Sequence, residues 1–562
     1  MKSAKIGVIL SILILPAQTQ ANAMSPQSDD QVGDWLLRNS EKQDDDLEPS
    51  STIPAIQTAL NQTAPIQPAQ NQSTNEPENE PNFRIGAVGV VGAQEIDISI
   101  FSSAIESAIG AEATDEQLAS LSQEMARVAR DRGYIMASTS IPEQAIQMGV
   151  VQVHLIEGVI DEVRIIGSEN KQVERILKPL EGLVAKLDIL ERKLLLVGDI
   201  PEIAVRGTEF AQEDGRNILL VKVHEKNDRL RAKVDNYGTE RFGPIRARVS
   251  GEFKSVVTDA DQIGLSIRTN PVDLSEIFYV SGYYETAIGT NGLRMGVAAS
   301  VGNTAPESRS GNGDRNGDSF YLSAITSYPL ARSTAGSLWL EAEGAYLTVD
   351  QDELGSMIRD DTSVTVSLGL RSELPLLGGR MRTRSTIVRG LGVFGATRLG
   401  DPLASRRDGD GVFTKGVFWT DFRTGLSKNV EIYFSGKAQI ADRPLLSTEE
   451  LSIGGAYRVR GYDFSELSGD EGFYGLGEVR YEIKRPTPWI RKLQLYAFTD
   501  VGYVNDIKKD SSEGSLYSAG PGIRGSLGPV NFELEGAFPI NKVRKDSGDK
   551  SPHLNMSVGV SF

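Results

Sequence analysis

The final stretch of the sequence, HLNMSVGVSF at residues 553–562, alternates strictly between apolar and polar side chains. A period of two residues places successive side chains on opposite faces of a β-strand. One face is polar or small throughout, and the apolar face consists of Leu554, Met556, Val558, Val560 and Phe562. The stretch therefore predicts a strand with one face in an apolar environment, which is either lipid or a second packed sheet.

The same alternation extends backwards through about 330 residues, in which the helical period is lost. Clusters of Gly, Asn, Asp, Ser and Pro separate the alternating segments, as is typical of strands joined by turns. We count about sixteen segments, with boundaries good to a few residues, near 230–237, 244–254, 260–269, 276–287, 291–301, 319–328, 336–349, 362–373, 380–393, 415–427, 429–441, 472–485, 492–504, 515–527, 529–538 and 553–562.

The connections between these segments alternate in length. Those after odd-numbered segments are often long, at 302–318, 394–414, 442–471 and 539–552. Those after even-numbered segments are mostly tight, at 288–290, 427–429, 486–491 and 528–529. An even strand count with long loops at one end is typical of an outer-membrane barrel, and lipid requires the sheet to close. The terminal Phe562 resembles the sorting signal of bacterial outer-membrane barrels, which a soluble sandwich would not explain.

The first residues of the chain predict export. Residues 1–23 have the features of a secretory signal peptide: two lysines, an apolar run from Ile6 to Leu15, and Ala21-Asn22-Ala23 as a cleavage site. The apolar run is too short to span a bilayer as a helix, and no other segment approaches the roughly twenty apolar residues that a spanning helix needs. We therefore expect an exported chain without a membrane helix.

Two further segments precede the ordered part of the chain. Residues 24–43 contain a short amphipathic stretch around Trp35 that predicts a single helix, and a movable plug and a frayed terminus are equally compatible with it. Residues 44–82 are rich in Pro, Gln, Asn, Thr and acids. Such a composition cannot bury a core, so this segment is predicted to be a disordered linker.

Residues 83–157 and 158–227 predict two modules with the same element order, β-α-α-β-β. In the first module, helices are predicted at 97–110 and 116–132, with Asp115 as the N-cap of the second helix. Each module would have an exposed strand edge, which can receive an extended polypeptide by strand addition.

Within the predicted barrel, alternation assigns side chains to lipid or lumen. In the segment LQLYAFTDVGY, starting at Leu493, Phe498 and Asp500 share a face. A carboxylate facing lipid is costly near mid-membrane, so this face is predicted to line the lumen. The same argument turns Glu478 inward.

The long connection 442–471 contains Val459-Arg460-Gly461-Tyr462. If this loop folds into the lumen, the Arg460 guanidinium can pair with a carboxylate, with Asp500 as the first choice and Glu478 as the second. Gly461 would permit a tight turn, and Tyr462 could stack on a neighbour such as Phe498. The alternative is an exposed loop in which Arg460 is solvated.

Composition excludes several classes of function. The chain has no cysteine, only three histidines and a formal net charge of -17. No Cys-ligated metal, thiolate catalysis or disulfide is available, no His has a second His at ligand spacing, and nucleic acid is an unlikely partner. We found no G-x-S-x-G motif and no His paired with a nucleophile. We therefore expect no enzyme, no catalytic residue, no metal site and no cofactor.

The motif VRGY at 459–462, followed by Phe498-Thr499-Asp500 in the next strand but one, resembles the signature of the POTRA-barrel transport superfamily. The stretches GYIMASTSIPEQ and GVVQVHLIEG of the first module narrow the resemblance to two-partner secretion translocators, also called haemolysin secretion/activation proteins. The resemblance implies a 16-stranded antiparallel transmembrane β-barrel at 228–562, preceded by two POTRA domains. It also implies that the loop tip is tucked into the barrel, with Arg460 paired to Asp500.

The resemblance further implies a function. The chain would sit in the bacterial outer membrane with its POTRA domains in the periplasm, and it would export a large, unfolded β-helical exoprotein through its pore. No phosphate-binding loop appears in the sequence, so we expect export without nucleotide hydrolysis. Barrel assembly machinery would be a partner during biogenesis, and the chain is expected to act as a monomer. The alternative function is an outer-membrane assembly factor of the same superfamily; a passive porin fits the two modules less well.

Overall fold

The computed structural model describes residues 83–142, 149–239, 243–305, 315–484, 487, 489–508 and 513–562. The predictions for the signal peptide, the N-terminal helix and the linker lie outside these residues. No helix in the described part of the chain is both long and apolar enough to cross a membrane. The chain divides into two compact units: one contains the described residues up to Lys226, and the other contains nearly all residues from Asn227 onward.

The first unit contains two three-stranded sheets, each with two α-helices between its first and second strands. The strand order is β1-β3-β2 in one sheet and β4-β6-β5 in the other, and in each the first strand runs parallel to the central strand. The elements are β1 (Ala87–Val91), α1 (Ser102–Ala108), α2 (Asp115–Asp131), β2 (Ser138–Ser140), β3 (Val150–Ile156), β4 (Glu162–Ile166), α3 (Lys171–Leu177), α4 (Leu187–Gly198), β5 (Ile203–Glu213) and β6 (Arg216–Glu225).

The start of α2 differs from the sequence prediction by one residue. Thr114, not Asp115, is the N-cap, because Thr114 has extended backbone angles and its Oγ1 accepts a hydrogen bond from the backbone N–H of Gln117 at 3.3 Å. Asp115 and Glu116 occupy the first turn, where their charge favours the helix dipole. The sequence pattern identified the boundary but chose the wrong member of an adjacent pair of capping residues.

The core of the first sheet lies between the sheet and its helices. Strand β3 alternates between exposed and buried residues, so Val151, Val153 and Leu155 point towards α1 and α2. There they pack in one cluster with Phe101 and Met125, both fully buried. Because β3 is the central strand, β1 and β2 are the two edge strands of this sheet.

Among the described residues from Asn227 onward, sixteen antiparallel strands close into a barrel, which confirms the predicted fold class. The closing contact pairs the last strand with the first, from Ser557 opposite Asp235 to Ser561 opposite Arg231. The barrel strands are β7 (Arg229–Asp235), β8 (Arg246–Lys254), β9 (Asp261–Thr269), β10 (Ile277–Ile288), β11 (Leu293–Thr304), β12 (Arg315–Ser333), β13 (Gly336–Glu353), β14 (Ser356–Leu376), β15 (Gly379–Gly390), β16 (Thr414–Gly425), β17 (Val430–Ala441), β20 (Glu471–Lys484), β21 (Ile490–Asn505), β22 (Gly514–Leu527), β23 (Val530–Pro539) and β24 (His553–Ser561).

The two faces of the barrel wall differ in polarity, as the alternation predicts. On β24, the apolar Leu554, Met556 and Val558 are about half exposed, whereas the polar Asn555 and Ser557 are buried inside. An exposed apolar band on every strand is costly in water and favourable in lipid. The outer surface of the barrel therefore has the polarity of a membrane-spanning wall, and its polar groups point into the lumen.

Three consecutive strands, β12 to β14, are longer than the sequence pattern predicts. Residues 350–361 were predicted as a connection, but they continue the ladder between β13 and β14 as far as the turn at Leu354 and Gly355. The backbone hydrogen bonds between β13 and β14 continue beyond the part of each strand in which apolar and polar side chains must alternate. Asp350 lies opposite Asp360 in this extension. Because both residues are polar, the apolar–polar periodicity of the sequence does not identify this part of the chain as a strand.

Candidate functional site

The connection between β17 and β20 folds into a small hairpin of its own. Its two short strands, β18 (Leu451–Ile453) and β19 (Leu467–Gly469), pair antiparallel, and the segment between them forms the tip. Val459 at the tip is fully buried in an apolar cluster with β18 and with residues of the barrel wall, among them Val504 and Leu516. Burial of this apolar side chain against the wall favours a tip that is docked rather than solvated.

The guanidinium of Arg460 is the most heavily bonded group at this tip. Its Nε and Nη2 donate to the two carboxylate oxygens of Asp500 at 3.0 and 2.7 Å, and its Nη1 donates to Glu478 at 2.6 Å and to Glu535 at 2.9 Å. Its backbone N–H also donates to Asp500 at 2.9 Å. Arg460 is 5% exposed and Asp500 is 1% exposed. We call Arg460, Asp500, Glu478 and Glu535 the loop lock.

Aromatic and polar side chains complete the surroundings of the loop lock. The guanidinium lies 3.6 Å from the centre of the Phe498 ring, a close cation–π contact. Asp500 accepts a further hydrogen bond from the Ser518 hydroxyl at 3.0 Å, and Glu535 accepts hydrogen bonds from Tyr496 and Asn555, both at 3.0 Å. Each carboxylate is therefore held in place by a second donor, as a buried charged group requires.

Glu478 joins the loop lock to two arginines of the lumen wall. Its second oxygen accepts hydrogen bonds from Arg480 at 2.8 Å and from Arg524 at 3.0 Å. Arg480 also lies over the Tyr433 ring at 3.9 Å. Positive and negative side chains therefore alternate along this part of the lumen wall. The guanidinium of Arg460 enters this network and meets a carboxylate partner in Glu478.

Gly461 allows the tip to approach the wall closely. A Cβ atom added at Gly461 would lie 2.8 Å from the Cβ of Ser518 and 3.0 Å from the backbone nitrogen of Pro539. The expected turn is present, since the backbone N–H of Tyr462 donates to the carbonyl of Val459 at 3.2 Å, but the φ of Gly461 lies outside the left-handed region, so the turn itself does not require glycine. The reason is steric, because any side chain would push the tip away from β22 and β23.

The structure places Tyr462 differently from the sequence prediction. Tyr462 is fully buried, but it packs in the same cluster as Val459, and its hydroxyl lies 2.9 Å from Oδ1 of Asn541. The backbone N–H of Lys542 donates to the same hydroxyl at 3.1 Å. The predicted stacking of Tyr462 on Phe498 is wrong: the Arg460 guanidinium takes that position, and Tyr462 ties the tip to the connection after β23.

Sequence reasoning missed one carboxylate of the loop lock. Glu535 lies on β23, 4% exposed, and its charge faces Arg460 inside the barrel. The alternation of Val530, Phe532 and Leu534 with polar residues placed Glu535 on the lumen face. The sequence does not give the depth of Glu535 within the lumen, because the stagger between strands decides which lumen residues lie at the same level.

The tip also contains acids whose protonation is shifted. Burial raises the pKa of Asp463 to about 6, and the nearby charges of Asp546 and Glu466 act in the same direction. Burial likewise raises the pKa of Glu466, although the backbone N–H of Lys545 donates to it at 2.8 Å. These two carboxyls hold protons more readily in the docked tip than they would in water.

A comparison with protein-family models identifies the family to which this fold belongs. The model of the haemolysin secretion/activation protein family ShlB/FhaC/HecB matches residues 214–525, and the model of the ShlB-type POTRA domain matches residues 83–158. The chain belongs to the haemolysin secretion/activation protein family. This family consists of outer-membrane transporters with periplasmic POTRA domains, so the predicted location in the outer membrane is confirmed and the family supports a translocator role.

Curated relatives of this haemolysin secretion/activation family member are distant but similar along most of their length. The heme/hemopexin transporter protein HuxB of Haemophilus influenzae is 21% identical over 493 residues, which are 84% of this chain and 85% of HuxB. The outer membrane transporter CdiB of Escherichia coli is 21% identical over 516 residues, with 86% of this chain and 83% of CdiB covered.

Solved structures show the same architecture. CdiB from Escherichia coli matches with a TM-score of 0.77 at 20% identity and covers 96% of this chain and 99% of its own. CdiB from Acinetobacter baumannii matches with a TM-score of 0.66 at 17% identity, with 94% and 98% covered. At this level of identity, the similarity establishes the fold and leaves the role of individual residues to be argued from their contacts.

Proposed function

We propose that this chain exports an unfolded exoprotein across the outer membrane through its barrel, and that the loop lock holds the resting state. The observation that carries the proposal is the position of Arg460, a buried guanidinium from an external loop in contact with carboxylates of β20, β21 and β23. A loop held by contacts this specific has a defined docked state, which a translocator needs in order to be closed at rest.

The architecture supports a proposed order of steps in export. The exoprotein docks in the periplasm along the edge strands of the POTRA sheets, where unpaired backbone groups accept an extended chain. It then threads through the lumen once the loop, and the N-terminal segment if that acts as a plug, move aside. Folding of the exoprotein outside supplies the direction, so no nucleotide is hydrolysed.

Replacement of Arg460 tests this function. Arg460→Ala removes every bond of the guanidinium to the loop lock, so the loop and the barrel wall lose the register on which export depends, and we expect an inserted barrel that no longer secretes. Quantitative mass spectrometry of the culture supernatant, from strains producing either the wild-type or the variant chain, measures the loss. Arg458→Ala is the matched control, because Arg458 is a buried arginine two residues away that bonds Ser452 within the same loop.

The same experiment separates a translocator from an assembly factor. Loss of one large exoprotein with an unchanged set of outer-membrane proteins supports export. A general decrease of outer-membrane barrels in the Arg460→Ala strain would instead assign the chain to barrel assembly. Normal secretion by the Arg460→Ala strain would reject the role of the loop lock.

A further inference from the structure

A second arginine, partly buried, contacts the in-folded loop at its base, far along the chain from the loop lock. Arg406 belongs to the connection between β15 and β16, and its side chain is 14% exposed. Its Nη1 bonds Glu450 and lies 2.8 Å from Oδ1 of Asp470. The same nitrogen lies 3.6 Å from Oδ1 of Asp506, after β21. One side chain thus joins three external connections; we call these four residues the base cluster.

The connection that presents Arg406 is itself fixed to the barrel. The backbone N–H of Thr397 donates to the carbonyl of Thr362 at 2.9 Å, and the backbone N–H of Thr362 donates to Oγ1 of Thr397 at 2.8 Å. Next to Arg406, the backbone N–H of Ser405 donates to Asp361 at 2.9 Å. These bonds anchor the connection to β14, so the guanidinium approaches the hairpin from a rigid support rather than from a freely moving loop.

The charges of the base cluster require that guanidinium. One oxygen each from Glu450, Asp470 and Asp506 lie within 4.8 Å of one another. Asp470 is fully buried, and its oxygens also accept the backbone N–H groups of Leu445 at 2.7 Å and of Ile507 at 3.0 Å. Without a cation among them, three carboxylates at this distance repel one another in a site poor in water.

We propose that Arg406 is a positioning residue that keeps the base of the loop closed, so that the loop is held by two separate ion-pair clusters, one at its tip and one at its base. The loop can leave the lumen only when both clusters open. The link to export rests on the proposed function, whereas the closed base is a property of the loop that is measured without any exoprotein.

Arg443 provides a matched comparison for Arg406. It joins two of these three connections, those between β15 and β16 and between β17 and β20, since its Nη1 lies 3.4 Å from Asp410, and its Nε lies 3.3 Å from the adjacent Asp442. Its side chain is 43% exposed, however, and exposed ion pairs contribute little to stability. A change at Arg443 therefore removes a cross-loop ion pair without leaving buried carboxylates uncompensated.

The test uses a single cysteine as a reporter, because the chain contains none. Thr448, next to the base cluster, is 2% exposed and its Oγ1 makes no hydrogen bond among the described residues, so Thr448→Cys is a mild change. Intact cells are treated with a membrane-impermeant maleimide, and the labelling rate of this cysteine is measured. Arg406→Met keeps the aliphatic stem and removes the charge, Arg406→Lys keeps the charge, and Arg443→Met is the control.

We expect Arg406→Met to raise the labelling rate by at least about tenfold, because a buried partner is lost, and Arg443→Met to leave it nearly unchanged. Arg406→Lys should remain near the starting rate, which a purely packing role would not predict. If Arg406→Met prevents assembly, Arg406→Gln is used, which keeps hydrogen-bond donors but removes the charge, and it should also accelerate labelling. Equal rates for Arg406→Met, Arg406→Gln and Arg443→Met would overturn the proposal.

The labelling test distinguishes rejection of the closed base from rejection of the proposed export function. Faster labelling of Arg406→Met in a strain whose wild-type chain secretes nothing would support the closed base and reject the export function. Slow labelling of Arg406→Met, in a strain whose wild-type chain does secrete, would reject the closed base alone.

Discussion

Arg460 gives up its hydration when the loop docks, a loss that costs several kcal/mol for a buried ion. The loop lock offsets that cost with a two-pronged contact to Asp500, single contacts to Glu478 and Glu535, and the face of Phe498. Charge-assisted bonds of this kind are among the strongest in proteins. The balance favours docking only while the carboxylates remain charged and correctly placed.

Asp500→Asn tests how much of this balance depends on one charge. The amide keeps the shape of the side chain but removes the charge, while Glu478 and Glu535 still compensate Arg460, so we expect docking to weaken by about 1.5–3 kcal/mol. Ser518→Ala removes a single neutral donor to Asp500 and should cost only about 1 kcal/mol. Trypsin cleavage after Arg458 in isolated outer membranes reports loop release; equal resistance of both variants would contradict the account.

Gly461→Ala tests the steric part of the docking. The added Cβ meets the Cβ of Ser518 and the backbone of Pro539, which cannot both yield, so docking should weaken by about 1–3 kcal/mol. Gly477→Ala is the control, because a Cβ at Gly477 meets no atom within 4 Å. The same trypsin assay should distinguish the two alanines, and cleavage of neither variant would show that the tip tolerates a side chain.

At the scale of the element, the docked loop is predicted to depend on pH. The pKa of Asp463 is raised to about 6 by burial, so the docked loop binds its proton more tightly than a released loop does. The stabilisation by this proton is complete below the ordinary pKa of 3.8 and is lost as the pH rises through about 6. The charged groups that face Asp463 are Asp546, Glu466 and Arg544, so its protonation relieves repulsion among acids.

The measurement compares a Val459→Cys reporter at pH 5 and pH 7.5. Val459 is fully buried in the docked tip, so its thiol reacts only when the loop is released. Each labelling rate is divided by that of a free thiol at the same pH, and the ratio should be severalfold higher at pH 7.5. Asp463→Asn keeps an oxygen for the N–H of Phe464 and should flatten this dependence. An equally steep dependence in Asp463→Asn would exclude Asp463 as its source.

The elements differ in how far the sequence predicts them. All sixteen barrel strands were found from the period of two, because lipid tolerates neither an open edge nor a charge on the outer face. The extension around Asp350 was missed, since outside lipid that constraint disappears. For the loop lock, side-chain alternation places Asp500 and Glu478 in the lumen. The membership of Glu535 could not be predicted in the same way, because it depends on the stagger of β23 against β22, which side-chain alternation does not reveal.

At the scale of the whole molecule, assembly and function involve different residues. The backbone of Phe562 closes the barrel by exchanging hydrogen bonds with Leu230 at 2.9 and 3.2 Å, but the residue as a whole is 73% exposed. We propose that the ring is read as a sorting signal and contributes nothing to the loop lock. Phe562→Ala should therefore lower the amount of folded barrel in the outer membrane severalfold, as measured by its heat-modifiable band on gels.

Phe538→Ala is the control for this experiment, because Phe538 is also a phenylalanine, lies on β23 and is 49% exposed. It should leave the amount of folded barrel unchanged. The Phe562→Ala barrels that do assemble should resist trypsin as the wild type does. Normal levels of folded Phe562→Ala barrel would remove the sorting role.

The most direct test of the account is a disulfide between the loop tip and the lumen wall. A Cβ added at Gly502 would lie 2.9 Å from Cγ2 of Val459, so Val459→Cys with Gly502→Cys should be oxidised to a disulfide in the oxidising periplasm during biogenesis, almost completely and without added oxidant. Val459→Cys with Val501→Cys, one residue away on the lipid face of β21, should not crosslink. Absence of the bond at position 502, or equal crosslinking at 501, would contradict a loop docked inside the barrel.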